Sequence, residues 1–405
     1  MSAIKGNMVI GQSGGPTAVI NQSLVGAVKQ AMLHPEITGI YGMKHGILGV
    51  LEENFIDLKQ EDNDTLEKIA NTPASALGSC RYKPNEKDAE KVFEIFEKYN
   101  VKYWFYIGGN DTAETANIVN QIARKNKYEL RVFHIPKTID NDLRETDHCP
   151  GYGSAAKYVA QAFMGNDRDN KALPGVKIDI VMGRHAGWLT AASALAKQGK
   201  DDGPHLIYMP EFGKDLSEFT KEIDDVYEKL GRCVVAASEG AMDKSGKLWA
   251  EGMIKEKDVH GNVQLSGSGA LGDSLVEYVK ANSRHKDMRV RSDTLGYAQR
   301  SFAGIVSEVD AREARMVGEE AVKYAMKGDI DGSVAIKRIG EGENYAVEPD
   351  LVKLEAVAKH TKELPKDFIN KQGNGVTQKF IDYALPLVGE LPEIGKFKEV
   401  PVAKQ

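Results

Sequence analysis

The chain has 405 residues, enough for two or three domains that each bury a core of their own. Its 53 Lys and Arg against 59 Asp and Glu leave a formal charge of −6, and the charged fraction of 28% with a hydrophobic fraction of 41% is ordinary for a globular protein. These values exclude a single small module and argue against a disordered chain or a basic nucleic-acid coat, while a few cations gathered at one point would still suffice to hold a small phosphate compound.

Short apolar runs repeatedly end in Gly and pass into helix-like segments, the pattern of parallel strands joined by crossover helices, so the expected fold class is α/β. The first unit is a strand over Asn7–Gly11, a loop over Gln12–Gly15 and a helix from Thr17 to Met32 with Val19, Ile20, Leu24, Val28 and Met32 near one face. A second strand, Val101–Ile107, enters Gly108-Gly-Asn-Asp-Thr112 and a helix through Ala123. A third, Arg131–Ile135, runs into Pro136-Lys-Thr-Ile-Asp-Asn-Asp142. A fourth, Lys177–Met182, meets Gly183 and Arg184 before an Ala-rich helix from Trp188 to Lys197. Two more strands are expected at His205–Met209 and Arg232–Ala237, the latter ending in Ser238-Glu239-Gly240. From Gly340 onward Pro, Gly and Lys are mixed, with one helical segment over Val376–Leu385, and this reads as a peripheral elaboration. No linker separates the units, so boundaries are placed by strand–loop–helix density. They give two Rossmann-like domains, three-layered with mainly parallel sheets: 1–150 plus about 300–345, and 151–299 plus about 346–405.

In parallel sheets, ligands bind beyond the carboxyl ends of the strands, where loop N–H groups and helix N-termini favour anions. Gly14, Gly15, Gly108 and Gly109 would let backbone approach a phosphate, although Gly at such turns also serves steric needs alone. Pro136–Asp142 says more, since a cation, a hydroxyl and two carboxylates at one strand end serve no packing purpose. Lys137 can neutralise a transferring phosphate, Thr138 can donate to one, Asp140 can take a proton from an attacking hydroxyl, and Asp142 can hold water or metal.

Competing patterns are present. Gly267-Ser-Gly269-Ala-Leu-Gly272, with a helical stretch over Ser274–Lys280 and Asp293 about twenty residues on, fits a dinucleotide fingerprint, as Gly151-Tyr-Gly153 does in part. The first follows a polar, interrupted stretch (Val259–Leu265), and the second follows a turn. Ser13 sits in Gly11-Gln-Ser-Gly-Gly15, a literal nucleophile-elbow string, but lies far earlier in the chain than such elbows do. Cys80, Cys149 and Cys233 are too few and too scattered for a disulfide framework, and the nine His lack ligand spacing, so no zinc is expected. The N-terminus shows no leader and no run nears the ~18 apolar residues of a membrane span, which leads us to expect a cytoplasmic protein with no membrane partner.

Taken together, Ser13-Gly14-Gly15 with Ile20-Asn21, Gly108–Thr112, Pro136–Asp142, Val181-Met-Gly-Arg-His-Ala-Gly-Trp188, Ser238-Glu-Gly240 and Leu295-Gly-Tyr-Ala-Gln-Arg300 resemble, in consistent order, the motifs of the phosphofructokinase family, and more closely its pyrophosphate-dependent branch. The resemblance implies that fold, an active site in the cleft between domains, and reversible phosphorylation of fructose 6-phosphate by pyrophosphate with Mg²⁺. It implies Asp140 as the base for the 1-hydroxyl, with Thr138 and Asp142 supporting the reacting centre and Arg81 reaching the transferring phosphate. Met182, Gly183, Arg184 and Glu239 would contact the sugar, and Arg291, Tyr297 and Arg300 its 6-phosphate. ATP-using relatives have Gly in place of Asp111 and Lys137, so Asp111 would exclude a nucleotide and Lys137 would grip a short donor. Thr112 closes the same motif. The branch usually has Asp where this chain has Asn110, so Asn110 and Asp111 are the implied Mg²⁺ ligands. No Arg stands in Leu173-Pro-Gly-Val-Lys177, where relatives can place one across a subunit interface; Lys177 or Arg168 would substitute for it. A homodimer or homotetramer is implied. The alternatives are an ATP-dependent phosphofructokinase, an NAD-type oxidoreductase using Gly267–Gly272, and a non-catalytic phosphosugar-binding subunit.

Overall fold

A computed structural model describes residues 4–253, 269–358, 361–398 and 400–402. Two sheets organise them. The first holds β1 (Gly6–Gln12), β2 (Ile37–Met43), β3 (Phe55–Asp57), β4 (Val101–Gly108), β5 (Arg131–Pro136), β10 (Asp331–Arg338) and β11 (Val347–Val352) in the order β11-β10-β5-β4-β1-β2-β3. The second holds β6 (Val176–Val181), β7 (Leu206–Tyr208), β8 (Cys233–Ser238) and β9 (Val290–Thr294) in the order β7-β8-β6-β9. All pairings are parallel except those of the outer strands β3 and β11.

The strands legible in the sequence are those buried on both faces. Along β4, Tyr103, Phe105 and Ile107 pack into one core while Trp104 and Tyr106 pack into the opposite one. The helices Ile20–Met32 and Glu308–Lys327 cover the first face, and Glu86–Lys98 with Asn110–Lys125 cover the second. In the second sheet β8 alternates likewise, with Val234 and Ala236 facing the long helix Tyr152–Ala172, and Cys233, Val235 and Ala237 facing Leu216–Leu230 and Ala270–Asn282. Each sheet is thus the middle of three layers, the arrangement expected of an α/β chain. Among the described residues no helix is long and apolar enough to cross a membrane.

The C-terminal region departs from its expectation. It is not peripheral, because β11 pairs antiparallel with β10 in the first sheet, so the segment from 346 does not pass whole to the second unit. The helix Gln378–Val388 buries Phe380, Ala384, Leu387 and Val388 in the core shared with Tyr152–Ala172. The Ala-rich helix also stops sooner than its composition suggests: Trp188–Ala192 is α-helical and Ser193–Ala196 tightens into a 3₁₀ turn.

Candidate active site

The carboxyl ends of β1, β4 and β5 lie side by side, and their loops enclose a cavity of about 480 Å³. Gly14 lines it with φ +75°, and a Cβ there would come within 3.3 Å of the Lys137 ammonium. At Gly15 a Cβ would meet the Arg300 guanidinium at 3.2 Å, so the absence of side chains lets two cations close on this loop. Lys137 donates from Nζ to the Gly15 carbonyl at 2.7 Å. β4 passes directly into the helix Asn110–Lys125 with Gly109 as its N-cap, which aims the helix N-terminus at the same cavity. Thr112 is buried there, and Asp111 stands exposed on the cavity wall. Arg81 and Lys83 complete the rim, with Lys83 paired to Glu114 at 2.8 Å and 3.7 Å from Asp111.

Charge is crowded where Pro136–Asp142 enters. Burial lowers the Lys137 ammonium to about 8 despite the opposing pull of Asp140. Burial raises the Asp140 carboxyl to about 7, helped by the like charges of Asp142 and Glu239 and opposed by Arg300 and Lys137. Asp142 is raised as well, chiefly by burial. Thr138 accepts the Asp140 N–H at 3.1 Å through Oγ1, which folds the turn back on itself. A carboxyl poised near neutrality beside a buried ammonium is the setting for a proton abstraction coupled to handling of an anion.

The carboxyl ends of β6 and β8 bring a second group of residues toward this turn. Gly183 adopts φ +137°, where a Cβ would lie 2.4 Å from the Ala186 carbonyl, and its carbonyl accepts from Ser238 Oγ at 2.7 Å. Its N–H points to Glu239 Oε1 at 3.4 Å, and the Met182 N–H donates to Gln299 at 3.3 Å. Glu239 is buried yet close enough to Asp140 to raise its carboxyl. Arg300 lies 4.6 Å over the Tyr297 ring, and Arg184 is exposed at the strand end. The two groups of residues thus lie close to one another, with Glu239 and Arg300 reaching the Asp140 turn.

Not every expected residue is brought in. Arg291 aligns with Lys177 in the β9–β6 register, near the amino end of its strand, and is held by Asp169 at 2.9 Å and the Leu173 carbonyl at 3.1 Å. Lys177 pairs with Asp293 and with Asp179, while Arg168 pairs with Asp167 and, at 2.7 Å, with Asp202. Asp293 is therefore engaged in a strand-to-strand ion pair and is not left to bind a ribose. Gly267 and Val259–Leu265 lie outside the described residues. The N-terminus after Gly151 is closed by Asp310, which accepts from the Gly151 and Ser154 N–H groups at 2.8 Å each, so no phosphate is needed there. Ser79, Cys80, Tyr82, Lys83 and Thr115 were not singled out from sequence. Ser79 donates to the Gly14 carbonyl at 2.6 Å, and the others line the cavity. Only their closeness in sequence to Arg81 and Thr112 hinted at them.

For a divalent cation the fit is good. The Asn110 Oδ1 atom is buried with no hydrogen-bond partner, and the Asp111 carboxylate stands beside it in sequence. Among the described residues there is no group of three or more His, Cys, Asp or Glu able to hold a metal. Such a sparse set suits Mg²⁺, which keeps waters and is held by one or two side chains plus substrate phosphates.

A cavity at a helix N-terminus, with a perturbed carboxyl and clustered cations on parallel strand ends, is the arrangement of a phosphoryl-transfer enzyme of the α/β class. Residues 7–325 match the model of the family described as Phosphofructokinase. The chain is 52% identical over 403 residues to a pyrophosphate–fructose 6-phosphate 1-phosphotransferase of Rhodospirillum rubrum, covering 99% of this chain and 98% of that one. It is 38% identical to the Xanthomonas campestris protein of the same name, again covering 99% and 98%. Among solved structures, the pyrophosphate-dependent phosphofructokinase of Marinobacter aquaeolei superposes with a TM-score of 0.85 at 34% identity, covering 99% of this chain and 98% of that one. The chain belongs to the phosphofructokinase family.

Proposed function

We propose that the protein transfers a phosphoryl group from pyrophosphate to the 1-hydroxyl of fructose 6-phosphate, giving fructose 1,6-bisphosphate and phosphate, and that it runs the reverse reaction as readily. The observation that carries this reading is the Asp140 carboxyl, raised to about 7 and within electrostatic reach of the buried Lys137, which lines a cavity whose wall bears Asp111. Asp140 takes the proton from the 1-hydroxyl as its oxygen attacks the nearer phosphorus; the bridging P–O bond breaks and the leaving phosphate keeps the electron pair. Lys137, Arg81 and the backbone at Gly14, Gly15 and Gly109 neutralise the charge that spreads over the phosphoryl oxygens. Thr138, Asp142 and Thr112 hold the turn and the donor end. Met182, Gly183, Arg184 and Glu239 receive the sugar, and Tyr297 and Arg300 its 6-phosphate. Arg291, held by Asp169, takes no part in this scheme.

Mg²⁺ would be held by Asn110 and Asp111, and its role when bound is to neutralise the donor's charge. The first sheet's unit handles the donor and the second sheet's unit the sugar phosphate. The names of the relatives support these two substrates, and our reading adds cytoplasmic work as a homodimer or homotetramer. Asp111 would repel the extra phosphates of a nucleotide, which argues for pyrophosphate over ATP. The test is bisphosphate formation with each donor. Turnover with pyrophosphate and not ATP is expected, together with gain of ATP use in the double substitution Asp111→Gly, Lys137→Gly. Turnover of the unaltered protein with ATP alone would refute the donor assignment.

A further inference from the structure

We infer that Tyr383, on a helix beyond the segment matched by the family model, is a positioning residue for the Asp140–Asp142 turn, an inference that rests on the proposed role of Asp140. Asn141, between the two carboxylates, is fully buried with φ +54°, a left-handed conformation that persists where surroundings dictate it. Both ends of its side chain are used. Oδ1 accepts the Cys149 N–H at 2.9 Å, and Nδ2 donates to the Tyr383 hydroxyl at 2.9 Å. That hydroxyl in turn donates to the Asp147 carbonyl at 2.9 Å, so one oxygen pins both limbs of the loop. Lys362 adds a backbone bond to the Asp142 carbonyl at 2.7 Å, and its ammonium donates to the carbonyls of Thr146 and Asp147 at 3.1 and 2.8 Å.

The same helix reaches the sugar side. The Tyr383 ring lies 5.3 Å from the Trp188 ring, and the Trp188 indole donates to the Lys362 carbonyl at 3.2 Å. Trp188 follows Met182–Arg184 by four residues, so Tyr383 bridges the turn that holds the base and the segment that meets the sugar. Within the turn, Thr138 takes the Asp140 N–H and bonds the Asp142 side chain, but neither bond holds Asn141 between them. The backbone between Asp140 and Asp142 is therefore held from outside, through Asn141, by the C-terminal helix.

The test is Tyr383→Phe, which keeps the ring and removes the oxygen, compared with Tyr345→Phe. Tyr345 also gives up a hydrogen bond, its hydroxyl donating to Glu313 at 2.6 Å; it lies 3.3 Å from His148 Nε2 but has no hydrogen bond to residues 138–143. Since a displacement of about 1 Å can cost roughly 100-fold, Tyr383→Phe is expected to lower kcat by about 10- to 100-fold with both KM values within about threefold, while Tyr345→Phe keeps kcat. Amide exchange across 138–143 is expected to rise in Tyr383→Phe and not in Tyr345→Phe, a readout that stands even if the unaltered protein fails to convert pyrophosphate and the reading of its function falls. Unchanged exchange and kcat in Tyr383→Phe, or equal losses in both variants, would overturn the inference. Should Tyr383→Phe not fold, Lys362→Met decides by the same two readouts.

Discussion

Replacing Asp140 by Asn separates what the carboxylate does for the reaction from what it costs the fold. Raising this group from its ordinary 3.8 to about 7 means that the folded protein holds its proton more tightly than the unfolded chain does. Stability attributable to Asp140 is therefore present at low pH and is lost as pH rises from about 4 to about 7. At ~1.4 kcal/mol per tenfold change in proton affinity, the full cost of the ionised form is about 4 kcal/mol. Asp140 is only partly buried and also offsets the charges of Lys137 and Arg300, so the net gain expected of Asp140→Asn at pH 8 is about half of that, ~2 kcal/mol. At pH 5 the native group is already protonated and the gain should vanish. Loss of a general base costs about 10²- to 10⁴-fold in kcat. The assay pairs thermal denaturation at pH 5 and 8 with bisphosphate formation from pyrophosphate and fructose 6-phosphate. Retained turnover, or a stability gain of the same size at both pH values, would refute the assignment of Asp140 as a strained, ionisable base.

The free enzyme should show a kcat/KM that rises with pH through about 7, as Asp140 ionises, and falls above about 8, as Lys137 loses its proton; a profile flat from 6 to 9 would remove both groups. Asn110→Asp supplies a carboxylate where a buried amide oxygen lacks a partner, and should lower the Mg²⁺ concentration needed for half-maximal activity by about threefold or more, read by metal titration. Asp310→Asn can satisfy only one of the two helix N–H groups it now accepts, and should lower thermal stability by about 1 kcal/mol without changing the KM for either substrate, since Asp310 lies at the Gly151 helix and not in the cavity.

Sequence revealed most where burial on both faces forces a continuous apolar run. β1, β4, β5, β6 and β8 are of this kind, and the ends of the first three carry the cavity residues. It failed at β9, Val290-Arg-Ser-Asp-Thr294, where only Val290 is buried and the strand's polar side chains look like a loop. It failed also at Tyr152–Ala172, which begins at a glycine with φ +108° and packs largely through Ala, so its face carries a weak apolar signal. Asp140 and Lys137 were legible because such residue types at a strand end need a chemical reason. Tyr383 was not, because its partner lies 242 residues away and a Tyr on an amphipathic helix looks like any core aromatic. The placement of Arg291 depends on strand register, which the spacing of residues in one chain does not reveal.

The strand β10 pairs with β5, so a sheet begun by the first residues is finished by some of the last. During synthesis the β5 edge must wait for roughly 200 further residues, about 10 to 40 s at ordinary elongation rates. For that interval a strand that is buried along its whole length in the finished fold has an open flank, an invitation to pairing with other nascent chains. The helix Ile20–Met32 likewise waits for its partner Glu308–Lys327. The half built on the first sheet therefore cannot mature on the ribosome until late in synthesis, and cellular yield should depend on chaperones that shield this flank until the last hundred residues emerge.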